Sequence, residues 1–411
     1  MIDFRQVASL FIANNEVSEL WLNGSKVWEK GSSAPSLLTF AAEEANSTVA
    51  MTAVGSAPSL SLEYSTDGGT TWSDFHVGST TITLANVGDE VCIRAGSGGN
   101  ERISSGSSTY NAFTTSGDLK VFGDITRLLS QSGNVTTLSS SQGDCFDSVF
   151  RGSTIVDAEG LILPVTTTNA AGVYSCMFRD CTSLVKPPAE IPDIQLNSTW
   201  TFNQMFQGCT SLTHTPKMLI TSTNQQSSTF RNMFDGCTSL VDVDFDALTT
   251  ASGEYCMGYA FQGCTSLETV EFPALDYIGY GNYGWRGAFS GCSALTSAKF
   301  PKLREVINSR TMYGMFDNCT GLETVDMGEI QTIQSYQTSD WMYSHCRSLV
   351  MIDFSKATAV PNLSNVNAFN DTNSTFRIVV PDALYDQWVA ANNWSQFASQ
   401  IVKASDYVPA A

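Results

Sequence analysis

MFDGCTSL, residues 233–240, is repeated almost letter for letter as MFQGCTSL at 205–212, and variants of it return down to residue 349. Aligned on the aromatic of that string, the chain places Phe150, Phe178, Phe206, Phe234, Phe261, Phe289, Phe316 and Tyr343 at spacings of 27 or 28 residues. A fixed period of this length marks a repeat architecture. One unit cannot bury its own apolar face, and the next unit supplies the missing partner.

The columns of the alignment carry the local structure. Four residues before the aromatic stand Phe146, Tyr174, Phe202, Phe230, Met257, Trp285, Met312 and Ser339. One residue before it stand Val149, Met177, Met205, Met233, Ala260, Ala288, Met315 and Met342. Apolar residues at i, i+3 and i+4 share one face of a helical turn, so the pattern predicts a short, half-buried helix in every copy. Two residues after the aromatic stand Gly152, Asp180, Gly208, Gly236, Gly263, Gly291, Asn318 and His345. These residue types tolerate positive φ and predict a left-handed cap.

Next comes Ser153 and then Cys181, Cys209, Cys237, Cys264, Cys292, Cys319 and Cys346. A small apolar side chain just past such a cap folds back onto the last turn, so the column reads as packing rather than chemistry. Column cysteines on neighbouring helices would stand too far apart to bridge, which predicts free, buried thiols. Six residues after the aromatic, Val156 and then seven leucines (Leu184 to Leu349) open segments such as LVDVDF (240–245), LETVEF (267–272) and LVMIDF (349–354). Their alternation predicts strands, and a strand plus a short helix per copy predicts a leucine-rich solenoid. With parallel strands ~4.8 Å apart, eight rungs make a sheet about 40 Å long.

The strings AFQGCTSLETVEFPAL (260–275) and AFSGCSALTSAKFPKL (288–303) resemble the BspA-type leucine-rich repeats of bacterial surface proteins and their phages, over roughly residues 140–375. The segment from Phe376 to Tyr407 is similar to the C-terminal cap of such proteins: a strand, Pro381, then an amphipathic helix. Leu384, Trp388, Trp394, Phe397 and Ile401 are expected to cover the last rung. GDLKVFGDITRLLS (117–130) is expected to begin the first cap.

Upstream, short alternating runs between turn signals over residues 37–115 predict an immunoglobulin-like or fibronectin-like β-sandwich, with SSAPS (32–36) as linker. Residues 19–30, ELWLNGSKVWEK, predict a hairpin turning at Asn23-Gly24. Trp21, Leu22, Val27 and Trp28 are too many apolar groups for a lone hairpin, so they are expected to dock on another protein or another copy of the chain. This segment resembles the N-terminal segments of phage tail-associated and fibre-type proteins. The expected fold is mixed β and α/β. It comprises an anchoring segment (1–31), the sandwich (37–115), the solenoid with its N-terminal cap (116–375) and a helical C-terminal cap (376–411).

The formal charge of −19 argues against nucleic acid or anionic lipid as a partner. MIDFRQVASLFIANNE, residues 1–16, has no long apolar run, so neither a signal peptide nor a membrane span is expected. A virion protein that assembles inside its host and leaves by lysis fits that reading, and a cell-surface adhesin is the alternative.

No cofactor, metal or catalytic residue is expected. STDGGTTW (65–72) matches the Asp box of sialidases, a structural hairpin in those enzymes, and its residue types make a β-turn at Asp67, Gly68 and Gly69. A glycan-active enzyme rests on that box alone. His76, His214 and His345 lack ligand spacing. The candidate ligand face lies on the strands: Asp242, Asp244, Glu271, Lys299, Asp326 and Asp353 point to solvent and could draw a basic partner or calcium. Tyr280 and Tyr283, in a variable connection, are candidates for stacking on sugar. The expected role is a non-enzymatic virion protein with the hairpin as anchor, the sandwich as spacer and the solenoid as host-recognition surface for a glycan or protein. It is expected to work as a homo-oligomer.

Overall fold

The computed structural model describes residues 36–333 and 337–408, together with four short strands before them. The chain divides into two compact units, Met1–Ser36 and Leu37–Ala411. In the first, Leu10–Ile12 pairs antiparallel with Asn15–Val17, and Glu19–Leu22 with Ser25–Glu29. The second pair is the expected hairpin, with Asn23 and Gly24 outside the described residues. The anchoring expected of Trp21, Leu22, Val27 and Trp28 concerns side chains that also lie outside them.

The second unit opens with two antiparallel sheets. One places Leu38–Ala42 between Glu90–Ala95 and Leu119–Asp124 and continues to Leu62–Ser65 and Ser73–Phe75. The other is Tyr110–Ser116, Ser47–Val54 and Thr81–Leu84. Phe40 and Phe113 meet across them with ring centroids 4.7 Å apart.

No linker separates these sheets from the repeats, and a division at 115/116 would cut the strand Tyr110–Ser116. Leu119–Asp124 pairs antiparallel with Leu38–Ala42 on one side and parallel with Ile155–Asp157 and Leu161–Ile162 on the other. The sheets are thus continuous in hydrogen bonding with the first copy of the repeats. Ile103 and Ser104 donate their N–H groups to the Cys145 carbonyl, and Phe113 donates to that of Val149. These bonds satisfy carbonyls that the first copy would otherwise leave exposed.

The repeats stack in parallel with the register read from the sequence. Thr269–Glu271, Ser297–Lys299, Thr324–Asp326, Met351–Asp353, Arg377–Val380 and Ile401–Lys403 form one sheet. Thr250–Ser252, Tyr277–Gly279, Glu305–Val306 and Thr332–Ile333 form a second. In earlier copies the first sheet shrinks to the isolated bridges Asp157–Lys186 and His214–Asp242. The strand expected at 240–245 is therefore absent. Pro187, Pro188 and Pro216, in the copies before it, have no N–H to continue a ladder.

The expected helix does not form in any copy. The segment around each aromatic is a ribbon of linked four-residue turns. In the first copy, Val149, Arg151 and Ser153 donate three residues back, to Phe146, Ser148 and Phe150. The alternate N–H groups, of Phe146, Ser148, Phe150 and Gly152, reach across to the carbonyls of Val173, Ser175, Met177 and Arg179 in the next copy. Positive φ recurs every fourth residue: six before the aromatic, two before it and two after it. Examples are Ser228, Asn232 and Gly236 at φ 56°, 53° and 75°. The left-handed column two after the aromatic is as expected, at φ 60–77° in all eight copies. It closes a turn rather than a helix. In a helix every N–H would be spent within its own copy; here every second one joins copy to copy.

The ribbon turns its aromatics inward. From Phe113 through Phe150, Phe178, Phe206, Phe234, Phe261, Phe289, Phe316 and Tyr343 to Phe369, the rings stack with centroids 5.1–5.8 Å apart. Phe146, Tyr174, Phe202 and Phe230 form a second stack. The far end is closed by two strands and one helix of only six residues, Tyr385–Ala390. Trp388 and Trp394 there pack on Phe354.

Each column cysteine donates its thiol to the carbonyl of the aromatic one copy earlier, at 2.9–3.2 Å, from Cys181 on Phe150 to Cys346 on Phe316. The column is thus a hydrogen-bonded seam as well as packing, a role the sequence reading had not assigned to it. All eleven cysteines are free and buried. Burial pushes the Cys181 thiol up to about 11 and that of Cys346 to about 12. Native protein is therefore expected to react with a thiol reagent at pH 8 far more slowly than unfolded protein, because the nucleophile is the thiolate. Rapid labelling of several thiols before unfolding would contradict the seam.

Candidate functional site

Two surfaces of the solenoid present side chains to solvent. On the strand side, Glu271, Lys299, Asp326 and Asp353 stand in one line of register, one per copy. Asp242 and Asp244 fall in an earlier copy, outside that sheet. Two of its carboxylates face lysines. Glu271 faces Lys299 at 3.9 Å, Asp326 holds Lys356 at 3.2 Å, and Asp242 meets His214 Nδ1 at 3.1 Å. Asp353 accepts the Ser355 N–H. Among the described residues no three His, Cys, Asp or Glu side chains come together as a metal site would require.

The ribbon side is different. Its inward positions are fixed by the aromatic stack; some of the residues six, three and two before the aromatic reach solvent, whereas others, such as Asp147, Ser148 and Cys176, are buried. Six before stand Trp200, Tyr255, Tyr283 and Arg310; three before, Arg231, Arg286 and Tyr313; two before, Tyr259 and Trp341. Tyr255 and Tyr283 stack at 5.0 Å with a 12° tilt. The Arg231 guanidinium lies 6.0 Å from the Trp200 ring centre and 4.7 Å from that of Tyr255. Arg286 sits among Tyr259, Tyr283 and Tyr313 at 5.8, 5.0 and 5.0 Å, and Arg310 lies 5.4 Å from Tyr283. Such contacts hold a guanidinium by its face and leave its N–H edges free to donate. No carboxylate pairs with Arg231 or Arg286 among the described residues, in a chain with 40 acidic and 21 basic side chains.

The family model for the BspA-type leucine-rich repeat region matches residues 165–279, 197–308 and 257–386, with six copies in all and more than half of the chain covered. This protein belongs to the BspA-type leucine-rich repeat family. No curated protein sequence matches it.

Of the two tyrosines singled out from the sequence, only Tyr283 belongs to this array. Tyr280 is 53 % exposed and packs on Tyr277, at 6.0 Å. The other members of the array were missed, although the BspA-type repeat alignment holds them in three columns. Each column mixes residue types from copy to copy, so it reads as variable surface until the inward columns are known.

Other candidates resolve into structure. Asp67 of the Asp box accepts from Ser65 Oγ, from the Thr70 and Thr71 N–H groups and from Thr71 Oγ1. Those bonds hold its carboxyl well below the usual carboxylate range, as expected of a turn-forming side chain. His345 Nδ1 lies 2.7 Å from Ser344 Oγ and 3.1 Å from Asp317 Oδ1. Both contacts use the same nitrogen, whereas a relay from serine to acid needs opposite nitrogens. Among the described residues no helix is long and apolar enough to cross a membrane.

Proposed function

We propose that this chain is a non-enzymatic recognition protein whose ligand, a glycan or a protein of a cell surface, lies along the ribbon side of the solenoid. The supporting observation is the array of partly exposed aromatics interleaved with Arg231 and Arg286, with which no carboxylate pairs among the described residues. A side chain that serves only the fold gains nothing from leaving such groups uncovered; a recognition surface needs rigid rings and unspent donors. Purified protein applied to intact bacterial cells is the test. Changing Trp200, Arg231 and Tyr255 together to alanine is expected to lower binding at least tenfold while leaving the melting temperature nearly unchanged. Equal binding by that variant would move the ligand elsewhere.

The finer reading takes the two facing sheets as immunoglobulin-like, the C-terminal end as a helical cap and the whole as a homo-oligomer borne on a bacteriophage particle. Residues 1–31 would then contact other virion proteins. What favours an assembly is the first unit itself: two-stranded sheets of three to five residues per strand are marginal alone in water, and another protein surface would stabilise them. A cell-surface adhesin is the alternative carrier. Mass spectrometry of purified virions distinguishes the two.

A further inference from the structure

We infer that the depression between Tyr259 and Trp341 on the ribbon side is a subsite for a carboxylate-bearing saccharide. This inference rests on the recognition reading above and names its ligand class. Tyr259, Gly287, Gly314 and Trp341 occupy one column in four successive copies, all at φ 56–58°. An aromatic stands at each end and two glycines lie between, so the column opens into a slot of about 240 Å³. At ~4.8 Å per rung the walls are about 14 Å apart, room for a pyranose ring beside either aromatic face. Positive φ alone does not demand glycine in this column, because Tyr259 and Trp341 adopt the same φ. A Cβ on Gly314 would meet nothing nearer than the Asp317 Cβ at 3.7 Å. At Gly314 the slot is open because the side chain is missing, whereas a Cβ on Gly287 would meet the Tyr259 ring at 2.8 Å, so that glycine seats the aromatic wall.

The lining selects the ligand. Arg286 stands on one side, held by its three tyrosine rings and without a carboxylate. Its free N–H edge suits a bidentate carboxylate. On the other side Ser290 offers a hydroxyl, and Asp317, fixed by His345, offers acceptor lone pairs for sugar hydroxyls. Asp317 beside the arginine disfavours a dense polyanion such as nucleic acid, as does the net charge of −19. An acidic peptide would also supply a carboxylate. A shallow slot with ring walls and polar flanks, however, suits a flat hydroxylated ring better than a side chain that needs an enclosed apolar pocket.

The test uses the full-length chain and calorimetric titration with galacturonate trisaccharide, its methyl ester, a sialyl trisaccharide and a tri-glutamate peptide. At least one carboxylated saccharide is expected to bind, and its neutral counterpart at least tenfold more weakly. Arg286→Gln is expected to remove the preference for the acid, and Gly314→Tyr, which places a third ring in the slot, to abolish binding. Thermal melts show whether either variant is folded, and the two reach the site independently. Binding unchanged in both folded variants, tighter binding of the peptide, or no binding of either acidic saccharide overturns the inference. Cell binding that survives Gly314→Tyr in the same preparation overturns only the saccharide subsite. Loss of cell binding in neither this variant nor the Trp200, Arg231 and Tyr255 variant overturns the ribbon-side reading as well.

Discussion

Phe234→Ala will lower the stability of the repeat unit by about 3–5 kcal/mol, the usual cost of deleting a fully buried phenylalanine. Phe234 has no exposed surface and stacks on Phe206 and Phe261, each at 5.4 Å, with ring planes tilted by 5° and 8°. The substitution therefore removes two ring contacts as well as the transfer energy of one side chain, and such contacts add roughly 0.5–1.5 kcal/mol each. Backbone hydrogen bonds hold the ribbon on both sides, from Phe206 N–H to the Met233 carbonyl and from Phe234 N–H to that of Ala260, so the cavity cannot collapse easily. Phe234 also lies near the middle of the stack. In a linear array each copy is stabilised by its neighbours, and a weakened central interface uncouples the two halves. Urea unfolding should therefore change from one transition to two, with the earlier one at clearly lower denaturant. Phe234→Leu, which keeps most of the volume, should lose less and stay cooperative. A loss under 1 kcal/mol with a single sharp transition would show that the ring column does not carry the solenoid.

The same column explains what the sequence could and could not convey. The period, the parallel register and the inward aromatics follow from residue identity repeated at 27 or 28 residues, and the structure places them accordingly. The helix was misread because the pattern i, i+3, i+4 spans five residues. Over so short a window a period of 3.6 and a ribbon with a period of four place the same side chains inward. The left-handed columns six and two before the aromatic could have separated them. The column two before it is occupied by Ser148, Cys176, Gln204, Asn232, Tyr259, Gly287, Gly314 and Trp341, mostly not residues that signal positive φ. Fusion of the two-sheet region to the repeats was illegible for a different reason. Leu119–Asp124 is an ordinary alternating strand, and nothing in its letters states that it pairs on both edges. The charges of the strand face are visible in the sequence. Their cross-copy partners, such as Lys356 for Asp326, come into view only once the copies are stacked.

Asp147→Asn is expected to stabilise the protein at neutral pH, with an effect that disappears in acid. Asp147 lies three residues before the first aromatic of the repeats and is 1 % exposed. Burial raises its carboxyl from the ordinary 3.8 to about 6, against a hydrogen bond donated by Ser148 Oγ at 2.6 Å that favours the charged form. The folded state thus holds this proton more tightly than the unfolded chain. Between pH 4 and 6 it binds more protons than the unfolded state does, so stability falls as pH rises through that window. By pH 7 the loss is on the order of 3 kcal/mol, and below pH 4 it vanishes because both states are protonated. Asparagine keeps an acceptor for Ser148 and carries no charge to desolvate, so it should recover about 1–3 kcal/mol at pH 7. Asp144 in the same turn ribbon is also raised by burial and contributes with the same sign, but it is present in both proteins and drops out of the comparison. Chemical denaturation of the two proteins at pH 4 and pH 7 measures the difference directly. An equal gain at both pH values would assign the effect to packing. A loss at pH 7 would mean that the charged carboxylate is needed where it is, as a ligand-binding or partner-binding group would be.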